Sequence, residues 1–110
     1  MGLDQYAFAV RDDGERCEIM YWRKHADLEG YMADLWHSRG GIGEFNCKDL
    51  RLFKSDLLRL RMIHRTGLAK AEGFFWGESN EEKINQTEKF IDTALSYVDD
   101  GYEIIYTSWW

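Results

Sequence analysis

The sequence has no proline and only two cysteines, Cys17 and Cys47, in 110 residues. Without proline no turn is set by a locked φ, so glycine and Asp-Gly pairs must punctuate the chain. Two thiols do not build a disulfide scaffold. Met1-Gly2-Leu3-Asp4 offers neither a basic start nor an apolar stretch, so no secretory leader is expected, and the thiols read as reduced cytosolic side chains. No apolar run approaches the roughly 18 residues of a membrane span. There is no CxxC, and His25, His37 and His64 form no HxxxH, so neither a metal nor another cofactor is expected. No GK[ST] follows a glycine loop and no GxGxxG is present, which removes the common phosphate-cradling loops. Two cysteines and three histidines give Cys–His combinations by chance, and paired carboxylates carry no specificity in an acidic chain. The sequence thus leaves enzymatic activity open, favours a non-catalytic protein and names no catalytic residue.

What remains is an ordinary globular composition, 45% hydrophobic and 31% charged. The length suits a single domain spanning residues 1–110. The formal net charge is -6, which disfavours duplex nucleic acid as a partner, because neutralising phosphates drives such binding. The charge is uneven: residues 51–72 carry 6 basic and 2 acidic side chains, and residues 73–110 carry 2 basic and 8 acidic. The basic segment reads either as a solvated helix face balanced by acidic neighbours or as an anion site.

Hydrophobic spacing predicts the elements. Leu3 to Arg11 alternates, with Tyr6, Phe8 and Val10 on one face and Gln5, Ala7 and Ala9 on the other, as in a half-buried strand. Asp12-Asp13-Gly14 is a hairpin turn. Glu15 to Arg23 forms the returning strand, with Cys17, Ile19 and Tyr21 opposite in facing to Glu18, Met20 and Trp22. Leu28, Tyr31, Met32, Leu35 and Trp36 make one apolar helix stripe, while Asp27, Glu29 and Asp34 point elsewhere; Gly40-Gly41 stops this helix. A third strand is expected over 45–53, with Phe45, Cys47 and Leu52 inward. A second helix starts near the N-cap Ser55, with Leu57, Leu58, Leu60, Met62 and Ile63 on its apolar side. Gly73-Phe74-Phe75-Trp76-Gly77 predicts a brief strand. Ser79 to Glu82 is a capping box opening a third helix on Ile84, Thr87, Ile91, Ala94, Leu95 and Val98, and Tyr102 to Trp110 is a last strand. The order ββαβαβαβ predicts an α+β domain, a mostly antiparallel sheet with three helices packed mainly on one face. The second face of such a sheet needs an explanation.

The aromatic content points to one. Five Trp, six Tyr and six Phe exceed what one small core needs. Phe8, Tyr31, Trp36 and Phe90 lie on apolar stripes and are expected in the core. Trp22, Trp76, Trp109 and Trp110 are left over. They serve either as a clamp holding the last strand or as an aromatic platform for a planar ligand or partner. Trp22, Arg23, Lys24 and His25 combine an aromatic with cations at a predicted helix start, where backbone N–H groups attract anions. In the glycine loop after that helix, Glu44 and Asn46 offer hydrogen bonds suited to base or ribose edges. Arg61 and Arg65 add positive charge on the second helix. On this reading Arg23 and Lys24, with Arg61 or Arg65, hold phosphate, and Trp22 or Trp109 stacks a base, worth roughly 1–3 kcal/mol.

Several blocks in combination carry a resemblance: Met1-Gly2-Leu3-Asp4-Gln5-Tyr6-Ala7, Tyr21-Trp22-Arg23-Lys24-His25, Gly43-Glu44-Phe45-Asn46, Gly73-Phe74-Phe75-Trp76-Gly77 and Ser108-Trp109-Trp110. Over nearly the whole chain the sequence resembles a family of small proteins of tailed bacteriophages and some bacteria, with a shorter hairpin at Asp12–Gly14 than some members have. The resemblance implies a setting, the cytoplasm of an infected bacterium, and brings no catalytic residues with it. The function expected is a non-catalytic binding protein that sequesters a small nucleotide signal of host defence. The alternative is an inhibitor or accessory factor that binds a host protein, with no membrane association. The last strand, β-rich and ending in Trp, reads as an exposed edge that invites homo-oligomer formation.

Overall fold

A computed structural model describes residues 2–67 and 81–110. The elements are β1 (Asp4–Val10), β2 (Arg16–Arg23), α1 (Ala26–Ser38), β3 (Asp49–Leu52), α2 (Lys54–Thr66), α3 (Glu81–Asp99) and β4 (Glu103–Trp109). They build an α+β domain around one four-stranded sheet of order β2-β1-β4-β3, antiparallel at every pairing, with the three helices mainly on one face. The strand expected at 73–77 and the capping residue Ser79 lie outside the described residues. β4 pairs with β1 on one side and β3 on the other, so the last strand is interior and offers no free edge for self-association.

The hairpin follows from Gly14, whose φ of 85° would strain other residues. Gly14 N–H donates to Arg11 O at 2.8 Å, and Glu15 N–H to Asp13 Oδ1 at 2.9 Å. On β1 the buried residues are Gln5, Ala7 and Ala9, so Phe8 faces away from the helices instead of joining their core. Small side chains on the central strand leave room for the large rings of its neighbours, Trp22 and Tyr106.

The facing expected for β2 breaks at Ile19, so that Cys17 and Glu18 exchange faces relative to Met20–Arg23. Ala7 pairs with Met20 but Phe8 with Glu18, so Ile19 is an inserted bulge. The bulge resets the alternation. Cys17, Met20 and Trp22 stand opposite Ala9, Ala7 and Gln5, while Glu18, Tyr21 and Arg23 stand opposite Phe8, Tyr6 and Asp4.

Leu28 and Met32 of α1 are fully buried, as their spacing predicts, but so is Glu29. Gly41 lets the chain leave α1 across Trp36, since a Cβ there would run into the indole. β3 is shorter than expected. Phe45 and Leu52 are buried, but Cys47 is exposed, at a φ of 58°. α2 begins earlier than Ser55: Phe53 is its N-cap, and Asp56 accepts the Phe53 N–H at 2.8 Å. Its buried stripe is Leu57, Leu60 and His64, whereas Leu58 and Met62 are exposed. Thr87, Phe90, Ile91 and Ala94 are the buried face of α3, and Ile84 is exposed. Among the described residues, no helix is long and apolar enough to cross a membrane.

Candidate functional site

Alternation along four strands, reset by the bulge, gives the sheet a second face away from the helices. Its centre is Tyr6. The Tyr6 ring lies 6.2 Å from Phe8 at 16°, 5.2 Å from Tyr21 at 44° and 6.0 Å from Trp109 at 53°. These spacings are those of interacting rings, so the four form one contiguous aromatic surface. Trp109 is 55% exposed and Tyr21 38%.

A depression of about 410 Å³ lies beside these rings. Tyr6, Phe8 and Trp109 supply its aromatic lining, and Arg16, Glu18 and Asp49 its charges. Arg16 spans both parts: its guanidinium carbon is 5.6 Å from the Phe8 centroid, and its Nη2 is 2.8 Å from Asp49 Oδ2. Tyr21 donates to Asp4 Oδ1 at 2.6 Å, and Arg23 reaches the same oxygen at 3.2 Å. The hydrogen bond to Asp4 holds the Tyr21 hydroxyl above its ordinary pKa. Arg51 pairs with Glu103 across β3 and β4 at 3.3 Å. Glu18 has no cation partner among the described residues.

Beneath the helices lies a second polar cluster, sealed from solvent. Glu29 accepts the Tyr106 hydroxyl at 2.7 Å and Ser108 Oγ at 2.8 Å. Gln5 Nε2 donates to Tyr106 Oη at 2.8 Å and to His25 O at 3.0 Å, and its Oε1 accepts the His25 N–H at 2.8 Å. Burial pushes the Glu29 carboxyl up to about 7, with the hydrogen bonds from Tyr106, Ser108 and Trp110 opposing it. Burial likewise pulls His25 down to about 4. Glu29 is 0% and His25 1% exposed, so neither meets a dissolved substrate. The cluster braces α1 against β1 and β4. Its signal in the sequence is weak but present: a glutamine on the buried side of β1 and a serine opposite it on β4.

The expected site residues divide between these regions. Trp22 is a core residue, not a stacking platform: it is 0% exposed, packs edge-on to Phe90 at 5.0 Å and donates its indole N–H to Thr87 Oγ1 at 3.1 Å. His25 belongs to the sealed cluster. Lys24 has a φ of 59°, and His25 beyond it turns into the interior, while the Arg23 and Lys24 side chains both lie against Gly2, so the expected cation cluster keeps two of its three members. Asn46 clasps the main chain of Trp110, donating to its O at 2.8 Å and accepting from its N at 3.0 Å, so it is not a free base-edge reader. Glu44 is exposed in its loop. Arg61 pairs with Asp92 of α3, and Arg65 is exposed near the end of α2, both in the helical layer. Only Arg23 and Trp109 come together on the open face, as the two cross-strand neighbours of Asp4. The Trp109–Trp110 pair is split: Trp110 clamps the loop through its indole N–H to Phe45 O at 3.1 Å, while Trp109 lies in the aromatic surface. The shared facing of Tyr6, Phe8, Tyr21 and Glu18 is hidden in the sequence because the bulge decides it. No family model matches the chain, and neither the curated proteins nor the solved structures contain a match.

Proposed function

We propose that the protein is a non-catalytic binding module whose recognition element is the helix-free face of its sheet. One observation carries this reading: Tyr6, Phe8, Tyr21 and Trp109 form a continuous ring surface where a fold of this size would ordinarily place solvated polar side chains. Aromatic rings with arginines and carboxylates around them are the composition of protein recognition surfaces. The perturbed acid and base, Glu29 and His25, are buried where chemistry on a substrate cannot reach them. The setting is the cytoplasm of a phage-infected bacterium, as the sequence resemblance implies.

Sequestration of a small nucleotide signal of host defence is the second reading. It is favoured by the placement of Arg23 and Trp109 on either side of Asp4, a cation and an indole on one surface. The test is a Tyr6→Ala, Trp109→Ala double variant, challenged with cyclic and linear nucleotides and with host lysate. The expected result is a cooperative melt and loss of every interaction the wild type shows. Binding that survives both substitutions would remove the open face as the site.

A further inference from the structure

Resting on that reading, we infer that the occupant of the open face is an arginine-bearing segment of a partner protein. Its guanidinium group stacks on the Tyr6 and Trp109 rings and pairs with Glu18. The electron-rich ring faces attract a planar cation, and a carboxylate beside them fixes its orientation through paired N–H donors.

The chain already uses this arrangement on itself. Arg16 stacks on Phe8 and binds Asp49 at 2.8 Å. Arg51 lies 4.4 Å from the Phe53 centroid and binds Glu103, and Arg39 lies 5.5 Å from the same ring and binds Asp56. At the depression the rings of Tyr6 and Trp109 are present and Glu18 is present, but the third member, a cation on Glu18, is missing among the described residues. The three arginines of this face are each committed to a carboxylate, Arg16 to Asp49, Arg23 to Asp4 and Arg51 to Glu103, which leaves them poorly placed to neutralise a phosphate. The net charge of -6 draws a basic partner in and holds anions off. Guanidinium is preferred to ammonium because only the former is planar enough to stack and to bind a carboxylate with two donors at once.

The experiment is a calorimetric titration of the full chain with an alternating Arg-Gly nonapeptide, its Lys-Gly counterpart and AMP. It is repeated for Glu18→Gln, Trp109→Ala and, as a charge control off this face, Asp34→Asn. The expected result is binding of the arginine peptide, at least fivefold weaker binding of the lysine peptide, and at least fivefold loss for both Glu18→Gln and Trp109→Ala with Asp34→Asn unchanged. Equal losses in Glu18→Gln and Asp34→Asn would reduce the effect to bulk charge and overturn the inference. AMP binding that Trp109→Ala abolishes, with no response to the arginine peptide, would keep the binding face and overturn its assigned occupant. So would sedimentation showing a dimer that Trp109→Ala dissociates. Binding indifferent to Trp109→Ala, or no binding of any probe, would overturn the inference, and the former would overturn the binding face with it.

Discussion

Trp22→Ala is expected to cost about 3–5 kcal/mol of stability, the range for deleting a buried large ring. A domain of this kind holds roughly 5–15 kcal/mol in total, so the variant should unfold in far less urea or fail to fold cooperatively. Trp22 is fully buried, meets Phe90 and Tyr106 at 5.0 and 6.1 Å, and satisfies Thr87 with its indole N–H. Removing it empties the centre of the core and leaves the Thr87 hydroxyl with one partner fewer. Trp109→Ala, by contrast, should cost no more than about 1 kcal/mol, because its ring is more than half exposed. Urea titrations of the two variants check this. Similar losses for both would contradict the division of the aromatics between core and open face.

The second large effect concerns pH. Glu29 ionises near 7 when folded, against an ordinary 4.5, so the folded chain holds a proton that the unfolded chain gives up over that interval. Stability from this group is therefore highest below 4.5 and is lost as pH rises to 7. His25 works in the opposite sense. It protonates near 4 when folded against an ordinary 6.5, so its contribution is complete above 6.5 and is lost as pH falls to 4. The groups facing it are Asp27, which favours its charged form, and His64 and Lys83, which oppose it. Between 4.5 and 6.5 the two slopes offset one another, because folding in effect moves one proton from the histidine to the carboxyl. Glu29→Gln, which mimics the protonated acid, removes one side of this balance. Relative to wild type it should gain about 3 kcal/mol between pH 4.5 and pH 7.5, since a tenfold change in proton affinity corresponds to about 1.4 kcal/mol. Unfolding free energies of both proteins across that range test it, and parallel pH profiles would show that Glu29 ionises as an ordinary carboxylate.

The sequence made much of the fold legible, because its periodicities are local. The Leu28–Met32 spacing on α1, the Asp-Asp-Gly turn and the β-formers of the last strand each declare an element within a few residues. The facing of β2 was not legible. Ile19 is inserted by cross-strand pairing, and no feature of Cys17 to Arg23 alone marks it. For the same reason Trp22 and Trp109 look alike in sequence, each an aromatic in an alternating strand, yet pairing opposite Gln5 buries one and pairing opposite Asp4 exposes the other. Arg23, Lys24 and His25 read as one cation cluster, but the positive φ at Lys24 leaves Arg23 on the open face and His25 in the interior. Glu29 resembles a solvated helix residue in the sequence, because its partners Tyr106 and Ser108 are 77 and 79 residues away. Long-range pairing, not composition, decides which charges are buried and which rings stay exposed.

The most direct test of the open face is a proton–nitrogen correlation spectrum of the labelled full chain, titrated with the alternating Arg-Gly peptide. The predicted shifts fall on the Trp109 indole and on the amides of Tyr6, Phe8, Glu18 and Thr107, while the Trp22 indole and the amides of α2 stay fixed. Shifts confined to α2 and α3, with the Trp109 indole unmoved, would contradict recognition through this side of the sheet.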